Sequence, residues 1–525
     1  MDPLTVAICT LACFILYNVI KVAVKLLKMG PFSDYASKSD GPQSMPIIGL
    51  AYLFIGGAEA TMKNIIEMGK TYPPSFQTSL GKFSIFATGI PGQLKAVLLS
   101  SKTIEKNEFY DFGRPWLGNG IFTAPASIWE VHRKLIQPSF NSIVLKSFIE
   151  IFSAQSFILV KKMERHLDGP EFEIHEYLSL CTLDVICGTA MGINLEAQTK
   201  ENCHYGKAAH AVIAGVTKRV LSPWLYPDFI FNRTRLGKDQ EKNIKFLHGF
   251  VDNVIREKKE RISQRTSQRE LAKNGQNAAD SSSTDPEVLI DNLIKLSTHN
   301  QILTDETVRE QVDTIMVAGS DTTSIVGSFV ILMLASQPGV QEKAYQELCD
   351  IFGGDAAYDD SGEPPVTSEV LRRMTYMERV IKETMRLFPI GPLLFRKATD
   401  DLDLGNCTVP KGSTVALNII GVHRNEKYWP DPYKFDPDRF LPERFAEQEP
   451  FSYLPFSGGP RNCIGSKYAM MFIKTFTAMI LRRYVLAVDK VIPVEDVRLK
   501  MEFMMTPAVP IAIRIKKRTQ EHKFS

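Results

Sequence analysis

One decapeptide concentrates residues able to do chemistry: Phe456-Ser457-Gly458-Gly459-Pro460-Arg461-Asn462-Cys463-Ile464-Gly465. A single cysteine sits in a glycine-rich loop with a cation two residues before it. A thiolate stays deprotonated where backbone N–H groups and positive charge surround it. The proximal side of a haem iron needs such a donor, which pushes electron density to the metal and favours O–O cleavage. Gly459 and Gly465 would let the backbone pass close under a flat ring. Arg461 could neutralise a ring propionate through a charge-assisted pair. Phe456 could cover the sulfur from water.

The spacing FxxGxRxCxG matches the cytochrome P450 haem signature at every fixed position, so the chain resembles that family. The resemblance implies a mainly α fold with small β-sheets and haem b bound to Cys463 as the axial metal ligand. Further motifs follow in the family's order. Trp129 and Arg133 resemble the WxxxR that meets a haem propionate, and Arg396 resembles the second propionate arginine. Ala318-Gly319-Ser320-Asp321-Thr322 resembles the oxygen-binding AGx[DE]T, which makes Asp321 and Thr322 the candidate catalytic pair for proton delivery. Gly319 is expected to open the helix next to the ring. Glu383 and Arg386 resemble the buried ExxR, whose third member would be Arg439 of Phe435-Asp436-Pro437-Asp438-Arg439-Phe440. A second match, Pro442 to Phe445, is read as a decoy.

Finer similarity, in Leu225-Tyr226-Pro227-Asp228-Phe229 and Val422-His423-Arg424-Asn425, is to the fourth clan of the animal enzymes, insect members included. Several of that clan carry a glutamate that esterifies the haem where this chain has Ala318. Alanine has no carboxyl, so the haem is expected to be non-covalent apart from its thiolate. By family position Phe122, Met316, Val317, Leu393, Leu394, Met504 and Met505 are expected to line the substrate pocket.

The elements that must position these residues are read from patterning. Asp305 to Ala335 predicts a long apolar helix, and Thr367 to Phe388 another from a capping residue. Met470 to Tyr484 reads as helix. Phe83–Thr88 and Leu94–Leu99 read as short β pieces, as does Thr414 to Leu417. Asp239 to Arg265 is amphipathic and basic at its end. Ser263 to Asp285 lacks apolar periodicity and reads as a surface loop. Trp429 to Gly465 is rich in Pro, Asp and Gly, a long irregular segment of the functional kind.

The 525 residues hold 62 basic and 59 acidic side chains, a balance that gives no reason to expect nucleic acid. None of the eight cysteines forms a CxxC or a zinc-type spacing. No phosphate-cradling GxGxxG or GxxxxGK[ST] occurs, so flavin and nicotinamide belong elsewhere; GxSxG and HExxH are missing too. Leu4 to Ile20 carries no charge, and Lys21, Lys25 and Lys28 follow it. As a helix it would span about 26 Å. The order predicts a retained single-pass transmembrane anchor with the body cytoplasmic. The domain reading is therefore anchor 1–28, basic and proline-rich hinge 29–49, and P450 catalytic domain 50–525.

On the resemblance, the expected partners are NADPH-cytochrome P450 reductase, cytochrome b5, O2 and a small lipophilic substrate, at the endoplasmic reticulum membrane. The sequons Asn232-Arg233-Thr234 and Asn406-Cys407-Thr408 would stay bare in that topology. Three other readings are a haem-thiolate isomerase or dehydratase, which needs no reductase, a non-catalytic ligand-binding haem protein, and a membrane-tethered structural protein that would purify without haem.

Overall fold

The computed structural model describes residues 41–45, 48–200, 204–274, 288–298, 303–353 and 366–518, with four isolated positions nearer the N-terminus. The expected anchor and most of the hinge lie outside the described residues. The principal helices are α1 (Ala126–Ile136), α2 (Ile149–Met163), α3 (Ile174–Ile186), α4 (His204–Val220), α5 (Arg235–Asn274), α6 (Asp305–Ser336), α7 (Thr375–Leu387) and α8 (Ser466–Arg483). Among the described residues the strands are short and form small sheets, so the architecture is mainly helical, as expected.

Helix α6 runs through the core. Thr304 caps it by accepting the Thr307 N–H at 3.1 Å, which satisfies one of the free donors of the first turn. Most of its residues are buried, so its apolar character serves packing rather than a bilayer. It lies along α3, and Gly319 and Gly327 allow close approach. A Cβ at Gly319 would sit 2.6 Å from Ile186 Cδ1, and one at Gly327 would sit 2.6 Å from Phe476 Cζ. Phe329 stacks on Phe388 at 4.4 Å between ring centres, just past the end of α7.

The largest sheet holds β1 (Ser75–Leu80), β2 (Phe83–Thr88), β3 (Leu393–Lys397) and β4 (Thr414–Asn418), in the order β1-β2-β4-β3. Strand β3 pairs antiparallel with β4, with Arg396 opposite Val415. The described end of the hinge is part of this body rather than a free tether. Ser44 Oγ lies 2.9 Å from Thr78 Oγ1, and a Cβ at Gly49 (φ 60°) would fall 2.1 Å from the Ser79 carbonyl.

Three sequence expectations fail locally. Pro91–Leu99 is helix, not strand; Pro91 occupies its first turn, where a missing N–H does no harm. The helix expected from Thr367 is two: Thr367 caps Ser368–Arg373, and α7 starts after Met374 leaves helical geometry (ψ 71°). Helix α5 continues to Asn274 through the first part of the expected loop.

Candidate functional site

The Cys463 N–H donates to the Phe456 carbonyl at 3.0 Å, folding the loop back on itself. Burial pushes the thiol up from its ordinary range, while the Gly465 N–H and the charge of Arg133 pull it down. A coordinated metal removes such a proton outright. The Cys463 side chain has accessible surface, yet protein surrounds the sulfur. It therefore faces an internal space and not bulk water.

The glycines serve the loop differently from expectation. Gly459 has φ 69°, and a Cβ there would lie 2.0 Å from the Leu98 carbonyl, so its task is to seat the loop on that helix end. Gly465 is the one beside the sulfur, its Cβ position 3.9 Å from Sγ. Phe456 is half-buried and packs on the main core.

Above this loop the cations crowd together. Arg461 donates from Nη2 to the Ala124 carbonyl at 2.9 Å and stacks 4.5 Å from the Trp129 ring centre. Trp129 is buried on α1, which brings it under the guanidinium. Arg396 is 4% exposed and donates to the Phe395 carbonyl at 3.2 Å. Lys106, which sequence reasoning missed, donates to the Phe122 carbonyl at 2.7 Å and lies 3.6 Å from the Phe122 ring centre. No motif surrounds Lys106, so no sequence signal pointed to it.

Burial, with Arg396 and Arg461 nearby, holds the Lys106 ammonium well below its usual range. Burial, then Arg396, lowers Arg461 to about 10. The carboxylate acting on Arg461, Glu105, already accepts the Ala126 N–H at 2.8 Å. Arg461 Nε and Nη1 are buried with no partner. Like charges held this close, with donors left over, suit an anionic partner carrying two carboxylates. A haem offers that in its propionates, together with a planar body above Cys463, so the residues fit the group.

Arg133 donates through its fork to Asn462, to the carbonyl and to Oδ1, both at 3.0 Å, and so braces the residue before Cys463.

Ala318 is exposed in the middle of buried α6, with half-buried Val317 and Thr322 beside it. Positions i and i+4 share a helix face, so Ala318 and Thr322 lie on one stripe that the packing of α6 leaves accessible. Thr322 Oγ1 donates to the Ala318 carbonyl at 2.6 Å, a back-bond that bends a helix. Asp321 points away from the stripe. It is buried, one carboxylate oxygen has no partner, and burial raises its pKa. The expected pair is thus adjacent in sequence but turned to different sides of α6. Gly319 is where Ile186 of α3 approaches α6.

Among the expected pocket residues, Phe122, Val317, Leu393 and Met504 are half-buried, as lining residues should be. Leu394 packs against the smaller core beside the sheet. Met316 and Met505 are fully buried core side chains. Phe503 joins the lining: its ring centre is 5.5 Å from Phe122 and 6.3 Å from Tyr110.

Beneath, Glu383 on α7 takes two hydrogen bonds from Arg386, at 2.7 and 2.8 Å, and a backbone N–H from Asp436 at 3.0 Å. The third member is Arg439, its Nε 3.4 Å from Glu383. Arg444, of the second match, is exposed and pairs with Asp436.

Comparison with known proteins agrees with this geometry. The family model described as Cytochrome P450 matches residues 40–513. Human "Cytochrome P450 4V2" is 32% identical, covering 99% of this chain and 96% of its own. "Cytochrome P450 4c21" of Blattella germanica is 35% identical, covering 92% and 93%. "Cytochrome P450 4c3" of Drosophila melanogaster is 34% identical, covering 92% and 89%. A haem-thiolate loop, a distal helix and a buried Glu-Arg-Arg network in this order, matched over nearly the whole length, place the chain in the cytochrome P450 family of haem monooxygenases, among relatives that are family 4 members from insects and mammals.

Proposed function

We propose that the chain inserts one atom of O2 into a small lipophilic substrate, a fatty acid, terpenoid, odorant or foreign compound. Electrons come from NADPH through NADPH-cytochrome P450 reductase, with cytochrome b5 as a second donor. The observations that carry the reading are Cys463 facing an internal space and, around Arg461 of the same loop, the crowded cations Lys106 and Arg396. Bound haem b supplies the oxygen activation.

The chain's own residues do the rest. Cys463 would hold the metal, steadied by the Gly465 N–H and by Arg133 through Asn462. Trp129 fixes the plane of Arg461, and Arg461, Arg396 and Lys106 would neutralise the propionates. Phe456 shields the sulfur side. Thr322 presents its hydroxyl on the open face, and Asp321 holds a proton behind it. Phe122, Phe503, Val317 and Leu393 give an apolar, aromatic pocket that excludes water and selects lipophilic molecules. Ala318 offers no carboxyl to the ring, which supports non-covalent haem.

Residues 1–28 act as a single-pass anchor in the endoplasmic reticulum membrane, 29–49 as a hinge, and 50–525 as the cytoplasmic catalytic domain. The uncharged run Leu4 to Ile20 and the lysines after it support this.

The test is the spectrum of the reduced protein with carbon monoxide. Wild type should show the red-shifted Soret band of thiolate ligation, and Cys463→Ala should lose it while folding. A red-shifted band retained in Cys463→Ala sinks the reading. Product formation that persists without reductase would instead favour an isomerase or dehydratase.

A further inference from the structure

We propose that His210 supplies solvent protons to Asp321 and orients its carboxyl, which makes the imidazole a positioning residue for turnover. The proposal rests on the proton-holding role given to Asp321 above. Asp321 is sealed inside α6, its side chain 8% exposed and its Oδ2 without a partner. His210 on α4 brings Nε2 to 3.8 Å from Asp321 Oδ1, and its own side chain is 47% exposed. One edge of the ring therefore meets water while the other meets the buried acid. A gap of that size closes by a small rotation or through one water.

The other polar groups facing this point are engaged. Ser320, on α6, donates its hydroxyl to the Met316 carbonyl at 3.0 Å. From α3, His175 shares a hydrogen bond with Ser328 Oγ at 3.2 Å. Burial and the facing His210 hold His175 at about 4, so it stays neutral in ordinary buffers. From the hairpin Leu499–Pro507, Lys500 and Glu502 pair with each other at 2.8 Å. His210 is left as the group that can exchange a proton with water and present it to Asp321. In the transfer, Nδ1 of the Nε2–H tautomer takes a proton from water at the exposed edge as Nε2–H gives its proton to Oδ1, and the ring regains its starting tautomer by turning over and exchanging with water. No electrons move.

The test uses the full-length, haem-loaded protein with reductase. His210→Gln should keep the carbon monoxide spectrum but lose about tenfold in product per NADPH. That is less than the loss of a direct acid, because water partly substitutes. The missing electrons should leave as hydrogen peroxide, and the solvent deuterium isotope effect should rise. His210→Arg keeps a cation that does not titrate and should lose coupling equally, which covers poor haem loading of the glutamine variant. Normal coupling in both His210 variants, with coupling lost in Asp321→Asn, overturns the His210 proposal alone. Normal coupling in Asp321→Asn overturns the reading of Asp321 itself.

Discussion

Lys106 and Arg461 are more informative than their burial alone suggests. Lys106, Arg461 and Arg396 share one low-polarity region, where Arg396 and Arg461 lower the proton affinity of Lys106 and Arg396 lowers that of Arg461. Without an anion this arrangement is unfavourable, since buried like charges repel and lose hydration. Lys106→Met, which keeps length and removes charge, should therefore act in opposite senses on two measurements. Haem retained through purification, read from Soret against protein absorbance, should fall several-fold. The melting temperature of haem-free protein should hold or rise. A variant that lowers both would mean that Lys106 only supports the fold. At the facing stripe, Ala318 makes a second expectation concrete. Acidified butanone should extract all haem from wild type, whereas Ala318→Glu should retain a fraction covalently.

At the scale of elements, α6 must lie close to its neighbours and carries polar groups to do so. Asp313 is fully buried, both its oxygens lack partners, and burial raises its carboxyl well above the usual range. His248 Nε2 stands 3.8 Å away, and the Trp116 indole approaches without hydrogen-bonding geometry. The folded state thus binds this proton more tightly than the unfolded chain. Its stability contribution is full below the unfolded carboxyl range and is lost as pH rises toward the folded value. Asp313→Asn removes that loss. Denaturant titrations should show the variant gaining on wild type by up to about 1.4 kcal/mol per pH unit from pH ~4 upward, then levelling. A difference flat with pH would mean that Asp313 is ionised in the fold. Gly459→Ala should cost about 3 kcal/mol, from the left-handed backbone and the Leu98 contact together. The need for glycine there was legible in sequence. The reason was not, because Leu98 lies 361 positions upstream and only the fold brings its carbonyl to 2.0 Å.

For the whole molecule, what could be read early were residues whose spacing is itself the chemistry. The Cys463 loop, α6 and the Glu383–Arg386 pair depend on contiguous stretches, and the pair forms the buried ion pair its spacing predicts. Lys106, Phe503 and His210 belong to single positions on separate elements, so their meeting is a product of tertiary structure alone. The turn of Asp321 away from Thr322 follows from 100° per residue and was available in principle. Arg439 and Arg444 put this distinction to a direct test, since both end an acceptable copy of one motif. Arg439 is 8% exposed and, with Glu383 and Arg386, ties α7 to the segment before the Cys463 loop; Arg386 also donates to the His423 and Pro432 carbonyls at 2.9 and 2.8 Å. Removing one partner of such a network leaves a buried charge uncompensated, which costs about 3–5 kcal/mol. Arg439→Ala should therefore fail to load haem at growth temperature, while Arg444→Ala should stay within about 0.5 kcal/mol of wild type, as surface changes do. Equal behaviour of the two variants in thermal melts and in haem content would break the assignment of the network, and with it the argument that burial, not motif matching, decides which arginine matters.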